Sequence, residues 1–137
     1  MKPKTFALLI FISVASLSFT GSSGLHNYQC RKCGTLVWQN HTPSYSGCPS
    51  GGSHSWVNLG ETGNRNYQCR KCGTLVRSRQ TPSYTGCPAS GSHSWVALGD
   101  VGNNAYQCKK CGTLVYSERT PSYTGCPAGS SHSWKKL

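Results

Sequence analysis

One unit of sequence occurs three times in this chain of 137 residues, at a period of 39, starting at Tyr28, Tyr67 and Tyr106. It reads Tyr-Gln-Cys-[Arg/Lys]-Lys-Cys-Gly-Thr-Leu-Val, a variable four, then Thr-Pro-Ser-Tyr-[Ser/Thr]-Gly-Cys-Pro and Ser-His-Ser-Trp. A repeat this short makes each copy one small structural unit and leaves no room for a large core. Roughly 30 ordered residues lie below the length, about 40, at which apolar burial alone sustains a fold, so a staple must supply the rest. Each copy carries three cysteines and one histidine at the spacing C-x2-C-x14-C-x5-H: Cys30, Cys33, Cys48, His54; Cys69, Cys72, Cys87, His93; Cys108, Cys111, Cys126, His132. All nine cysteines are used. Three per unit cannot pair within it and nine cannot pair within the chain, so a full disulfide framework fails on parity. Three thiolates and an imidazole, presented two at a time by tight turns, are the ligand set of a tetrahedral zinc ion. The rival is a Cys-x-x-Cys disulfide in each copy with the third cysteine free. It leaves a histidine at ligand spacing without a role.

The first residues set the compartment. Lys2 and Lys4 precede an apolar run, Phe6 to Ala15, that is too short for a stop-transfer helix and suits the core of a secretory signal peptide. Residues 1–20 are therefore expected to be a signal peptide with cleavage between Phe19 and Gly24, the alternative being an uncleaved anchor. The protein is then secreted, periplasmic or held at the cell surface, with no membrane span after cleavage. Loss of Lys2 and Lys4 lowers the formal charge from +11 to +9, and three zinc ions, each with three thiolates, lower it to +6. That suits solubility and a weak attraction to anionic surfaces as well as it suits a specific anion.

Between the repeats lie Gly60 to Asn66 and Gly99 to Ala105, rich in Gly and Asn. They read as flexible linkers, spanning about 14 Å as a coil, so an array of independent beads is expected over one fused domain. The repeats themselves are bounded as 25–59, 67–98 and 106–137. Within a copy the reading is all-β. Tyr28-Gln29 enters the turn Cys30 to Gly34, where glycine can take a positive φ, and Thr35-Leu36-Val37 leaves it, so the first metal turn closes a hairpin. Thr42 to Gly47 is turn chemistry, and Ser55 to Leu59 reads as a third strand. No stretch has a helical apolar period.

The pattern Tyr-x-Cys-x-x-Cys-Gly followed by Gly-Cys-Pro resembles the rubredoxin-like and zinc-ribbon family, over about 30 residues of each copy. The resemblance implies two metal turns facing each other across a small three-stranded sheet, with Cys30, Cys33 and Cys48 and their equivalents as ligands. The chain departs from the family at the fourth ligand, where Cys48-Pro-Ser-Gly-Gly-Ser-His54 stands in place of a second Cys-x-x-Cys. A Cys₃His set favours structural zinc over redox iron.

Four protein ligands leave no open position for a reacting water, and no Ser/His/Asp arrangement accompanies three acidic residues, so a non-enzymatic protein is expected. Small units have little to bury, which assigns Trp56, Trp95, Trp134 and the first tyrosine of each copy to packing. Tyr45, Tyr84 and Tyr123, in the Pro-Ser-Tyr loops, are the binding candidates. The expected function is a multivalent binding or surface-structural element for a protein or glycan outside the cell. The alternative is nucleic-acid binding through Arg31-Lys32, Arg70-Lys71 and Lys109-Lys110, against which export argues. His26 and His41 do not recur and read as surface residues.

Overall fold

In the computed structural model, which describes residues 24–137, the chain is all-β, with no helix among the described residues. The signal peptide inferred for residues 1–20 lies outside this range. Eight strands follow in order: β1 (His26–Cys30), β2 (Leu36–Gln39), β3 (Trp56–Glu61), β4 (Arg65–Cys69), β5 (Leu75–Ser78), β6 (Trp95–Cys108), β7 (Leu114–Ser117) and β8 (Trp134–Lys136). The first copy is a three-stranded antiparallel sheet in the order β2-β1-β3. The second repeats this order as β5-β4-β6, and the third as β7-β6-β8, so β6 belongs to two copies at once.

Each copy thus has the expected hairpin and third strand. The glycine after the second cysteine takes a positive φ, +82° at Gly34 and +80° at Gly73 and Gly112, and its N–H bonds back to the first cysteine's carbonyl at 2.8 to 2.9 Å. That closes the metal turn at no steric penalty.

The Gly/Asn-rich joins are not flexible coil. Residues 99–105 lie wholly inside β6, and 60–66 are strand apart from Thr62, Gly63 and Asn64. The reason is that neighbouring copies dock. Asn27 pairs with Gly60 and Tyr28 with Asn58, so β3 has one extra residue, Leu59, in a bulge next to Gly60. The bulge aims Leu59 at the next copy and frees its carbonyl, which accepts from Ser83 N–H at 2.9 Å. Asn27 donates through Nδ2 to the Arg77 carbonyl at 3.0 Å, and Gln29 through Nε2 to Thr74 Oγ1 at 2.7 Å. Arg79 meets the Glu61 carboxylate at 3.2 Å, while Ser78 Oγ donates chiefly to the Gln80 carbonyl at 2.6 Å and lies 3.3 Å from that of Glu61.

The second junction repeats the first. Asn66 donates to the Tyr116 carbonyl at 3.0 Å, Gln68 to Thr113 Oγ1 at 2.7 Å, and Ser122 N–H to the Leu98 carbonyl at 2.9 Å. Apolar packing lies at the junctions too: Leu59 of the first copy is buried with Tyr67 and Val76 of the second, flanked by Val57, Leu36 and Trp95. Leu98, Tyr106 and Val115, their equivalents 39 residues on, are also buried. A unit too small to own a core shares one with its neighbour, which is how stacked repeats gain stability.

Candidate metal centres

Each copy draws its four chemistry-bearing residues into one cluster. Cys30, Cys33, Cys48 and His54 form the first, Cys69, Cys72, Cys87 and His93 the second, and Cys108, Cys111, Cys126 and His132 the third, with ligand atoms within 4.8 Å of one another. The first two cysteines come from the β1–β2 turn or its equivalent, and the third cysteine and histidine from the turn before the third strand. All nine thiols are unpaired by disulfides.

The distances test whether an ion fits. Bonds of about 2.3 Å to sulfur and 2.0 Å to nitrogen make tetrahedral edges of about 3.8 Å between sulfurs and about 3.5 Å between sulfur and nitrogen. Cys30 Sγ lies 3.9 Å from Cys48 Sγ, and Cys69 Sγ 4.0 Å from Cys87 Sγ. The histidine Nδ1 is 3.6 to 3.7 Å from the second cysteine's Sγ in all three clusters. Nε2 of His93 and of His132 is buried without a hydrogen-bond partner. Each cluster can therefore hold one tetrahedrally coordinated ion through its three Sγ atoms and the histidine Nδ1.

Electrostatics point the same way. Burial opposes ionisation of Cys30, but the backbone N–H groups of Cys33, Ser55 and Lys32, with the His54 ring, outweigh it and bring the thiol down to about 6. Cys108 falls to about 5 by the same means. Burial pushes Cys72 up to about 11, with the Cys69 charge adding to it. Burial also raises Cys48 and Cys126, and their neighbouring cysteines add to that. One thiolate forms easily and makes the next harder to form, so a full set of three calls for a cation at the centre. His93, lowered to about 4 by burial and then by the Lys71 charge, keeps the neutral imidazole that ligation requires.

The residues around the ligands are equally regular. Ser55 N–H donates to Cys30 Sγ at 3.3 Å, as Ser94 does to Cys69 and Ser133 to Cys108. The Lys32 ammonium donates to the carbonyls of Gly51 and Ser53 at 2.8 and 2.7 Å and so ties one metal turn to the other; Lys71 and Lys110 do the same. Trp56, Trp95 and Trp134 each stack on the histidine of their copy with centroids 4.4 to 4.5 Å apart and donate through Nε1 to the carbonyl of Ser44, Ser83 or Ser122 at 2.9 Å. Tyr28, Tyr67 and Tyr106 are buried. Tyr45, Tyr84 and Tyr123 stand outside the clusters, anchored by their backbone carbonyls to the N–H of His54, His93 and His132 while their rings are 55 to 57% exposed. His41 is exposed, and His26 bonds Asn58 Oδ1.

Three sets of residues gain roles that spacing did not disclose: the second lysine of each basic doublet, the glutamine before the first cysteine, and the threonine after the metal-turn glycine. Thr74 Oγ1 accepts from Gln29, so its own proton is free for Cys72 Sγ, 3.1 Å away. Thr113 stands likewise between Gln68 and Cys111. Docking thus gives these two hydroxyls a donor, although Thr35 Oγ1 lies the same 3.1 Å from Cys33 Sγ in the first module without one. Gln68→Ala should quicken metal loss from the third site only as far as that of the first, whose Thr35 has no such donor among the described residues. Competition with a chromophoric chelator, resolved by site, measures it; unchanged loss from the third site would show that the hydroxyl does not depend on the amide.

The chain matches no protein-family model, no curated protein and no solved structure. Its tandem arrangement of Cys₃His clusters in an all-β fold is that of a metal-binding repeat.

Proposed function

We propose that this is an exported, non-enzymatic protein in which three structural zinc ions staple an array of zinc-ribbon-like modules, and that the array binds a protein or glycan partner multivalently at or outside the cell surface. Zinc is the choice because a closed Cys₃His set suits it and leaves no position for a reacting water. The observation that carries the binding reading is the threefold recurrence of one exposed aromatic. Tyr45, Tyr84 and Tyr123 keep their rings in solvent at the same place in each module, while the other recurring aromatics are buried or packed against a metal ligand. Docking holds these rings in fixed register, so a partner that engages one meets the others at raised effective concentration.

Nucleic acid is the weaker reading, because Lys32, Lys71 and Lys110 spend their ammonium groups on internal carbonyls. Arg31, Arg70 and Lys109 are the exposed partners left in each doublet. Native mass spectrometry should find three zinc ions per chain. Binding of the metal-loaded chain to immobilised polysaccharides and to a single-stranded oligonucleotide, at low and high salt, separates the readings. Replacing Tyr45, Tyr84 and Tyr123 together by alanine should weaken polysaccharide binding about tenfold or more without releasing zinc. Steeply salt-dependent oligonucleotide binding that ignores the tyrosines would favour the alternative.

A further inference from the structure

The contact between modules is heterologous: one face donates and a different face accepts. The donor face is Asn27, Gln29, Val57 and the bulged Leu59 in the first module, and Asn66, Gln68, Val96 and Leu98 in the second. The acceptor face comprises Thr74, the Arg77 carbonyl, Val76, Gly86 and Pro88, with Thr113, the Tyr116 carbonyl, Val115, Gly125 and Pro127 as equivalents. Val57 packs onto Gly86 and Val96 onto Gly125, both glycines at positive φ where a Cβ would lie 2.5 Å from the valine Cγ2. A head-to-tail contact of this kind has no internal reason to stop, and between chains it generates open filaments.

The first module keeps a complete acceptor face. Thr35 and Pro49 are exposed, and nothing lies within 4 Å of a Cβ built on Gly47. The third module's donor face is altered at two of its four positions. Ala105 stands where Asn27 and Asn66 donate an amide, and Lys135 where Val57 and Val96 pack. Gln107 is retained but exposed, whereas Gln29 and Gln68 are 1% and 0% exposed.

We propose that Ala105 and Lys135 form a stop which prevents a second copy of this chain from docking its first module onto the third. Ala105 leaves the Trp38 carbonyl of an incoming copy without its donor. Lys135 would carry an ammonium into a contact that is otherwise valine against glycine, where it has no counter-charge and loses its water. An altered face on one unit stops further stacking and so keeps a repeat array soluble.

Sedimentation of the purified, metal-loaded protein over a range of concentrations tests the proposal. The natural chain should stay monomeric, and the A105N/K135V variant, which restores the donor set, should associate until its average mass rises past that of a dimer. Adding Pro49→Asp on the opposite face should return that variant to monomer, with three metal ions per chain throughout. Natural protein that already assembles through this face, a fully metallated A105N/K135V that stays monomeric, or assembly indifferent to Pro49→Asp would each overturn it. Should A105N/K135V lose metal, K135V alone must associate measurably above the natural chain, and its failure to do so would overturn the proposal as well.

Discussion

Replacing Cys87 by serine should strip the middle module of its metal and loosen both of its neighbours. A structural zinc site contributes about 10–16 kcal/mol of binding free energy, and in so small a unit that is effectively the folding free energy. Cys87 is buried, 4.0 Å from Cys69 Sγ, and the serine hydroxyl that replaces it is a poor ligand. The damage should not stop at the module boundary. Tyr67 and Val76 of the middle module bury Leu59 of the first, and Gln68 donates to Thr113 Oγ1 of the third. Native mass spectrometry should read two ions per chain or fewer. Amide exchange should show protection lost throughout β4 and β5 and reduced in β3 and β7. Undiminished protection in β3 and β7 would mean that the junctions carry little of the stability, and that the modules fold independently despite touching.

Gly86→Ala should separate the first two modules. Two penalties combine there. The residue sits at φ +73°, where a side chain is strained by about 1–2 kcal/mol, and the new Cβ would fall 2.5 Å from Val57 Cγ2, an overpacking worth roughly 1–3 kcal/mol more. Gly47→Ala supplies the control, since Gly47 has almost the same φ, +77°, and no neighbour within 4 Å. Both variants bear the strain and only Gly86→Ala bears the clash. Thermal unfolding should therefore rank Gly86→Ala well below Gly47→Ala, with metal content equal in the two. Equal destabilisation would show that Val57 swings aside and that the close approach does not matter.

The clustering of the Cys₃His residues, the strand assignments within each copy and the packing of Trp56, Trp95, Trp134 and the first tyrosine of each copy were legible because each rests on local chemistry. One pair of turns, the first with two thiols and the second with a thiol and an imidazole, β-branched residues around a positive-φ glycine, and the scarcity of anything else to bury are all visible in one copy of the repeat. Docking was not legible for two physical reasons. Its contacts run through polar side chains, Asn27, Gln29 and their equivalents, and an apolar periodicity does not register a buried amide. Its apolar part is split between copies, so Leu59 looks like the end of one small unit when it belongs to a core with Tyr67 and Val76. Glycine and asparagine between the repeats suggested coil, yet the glycines at 60 and 99 flank a bulge and Asn66 is 2% exposed. The departures at Ala105 and Lys135 were present in the third copy from the start. They acquire meaning only once Asn27, Asn66, Val57 and Val96 are seen touching a neighbour.

β6 serves as the third strand of one module and the first strand of the next, from Trp95 to Cys108, without leaving the sheet. Its consequence is mechanical. Tension applied along the array at this junction has no slack loop to pay out, so it is borne by the hydrogen bonds that β6 makes with β4 on one side and with β7 and β8 on the other. Bonds perpendicular to the pull share the load as a group, unlike those of a hairpin peeled from its end. At the other junction Thr62 to Asn64 lie outside the named strands, but Thr62 N–H donates to the Leu25 carbonyl at 3.0 Å and Val101 N–H to the Asn64 carbonyl at 2.7 Å, so it too is held without a free loop. Under stretching, both junctions should therefore resist as sheet and give no early extension of the kind a flexible linker shows.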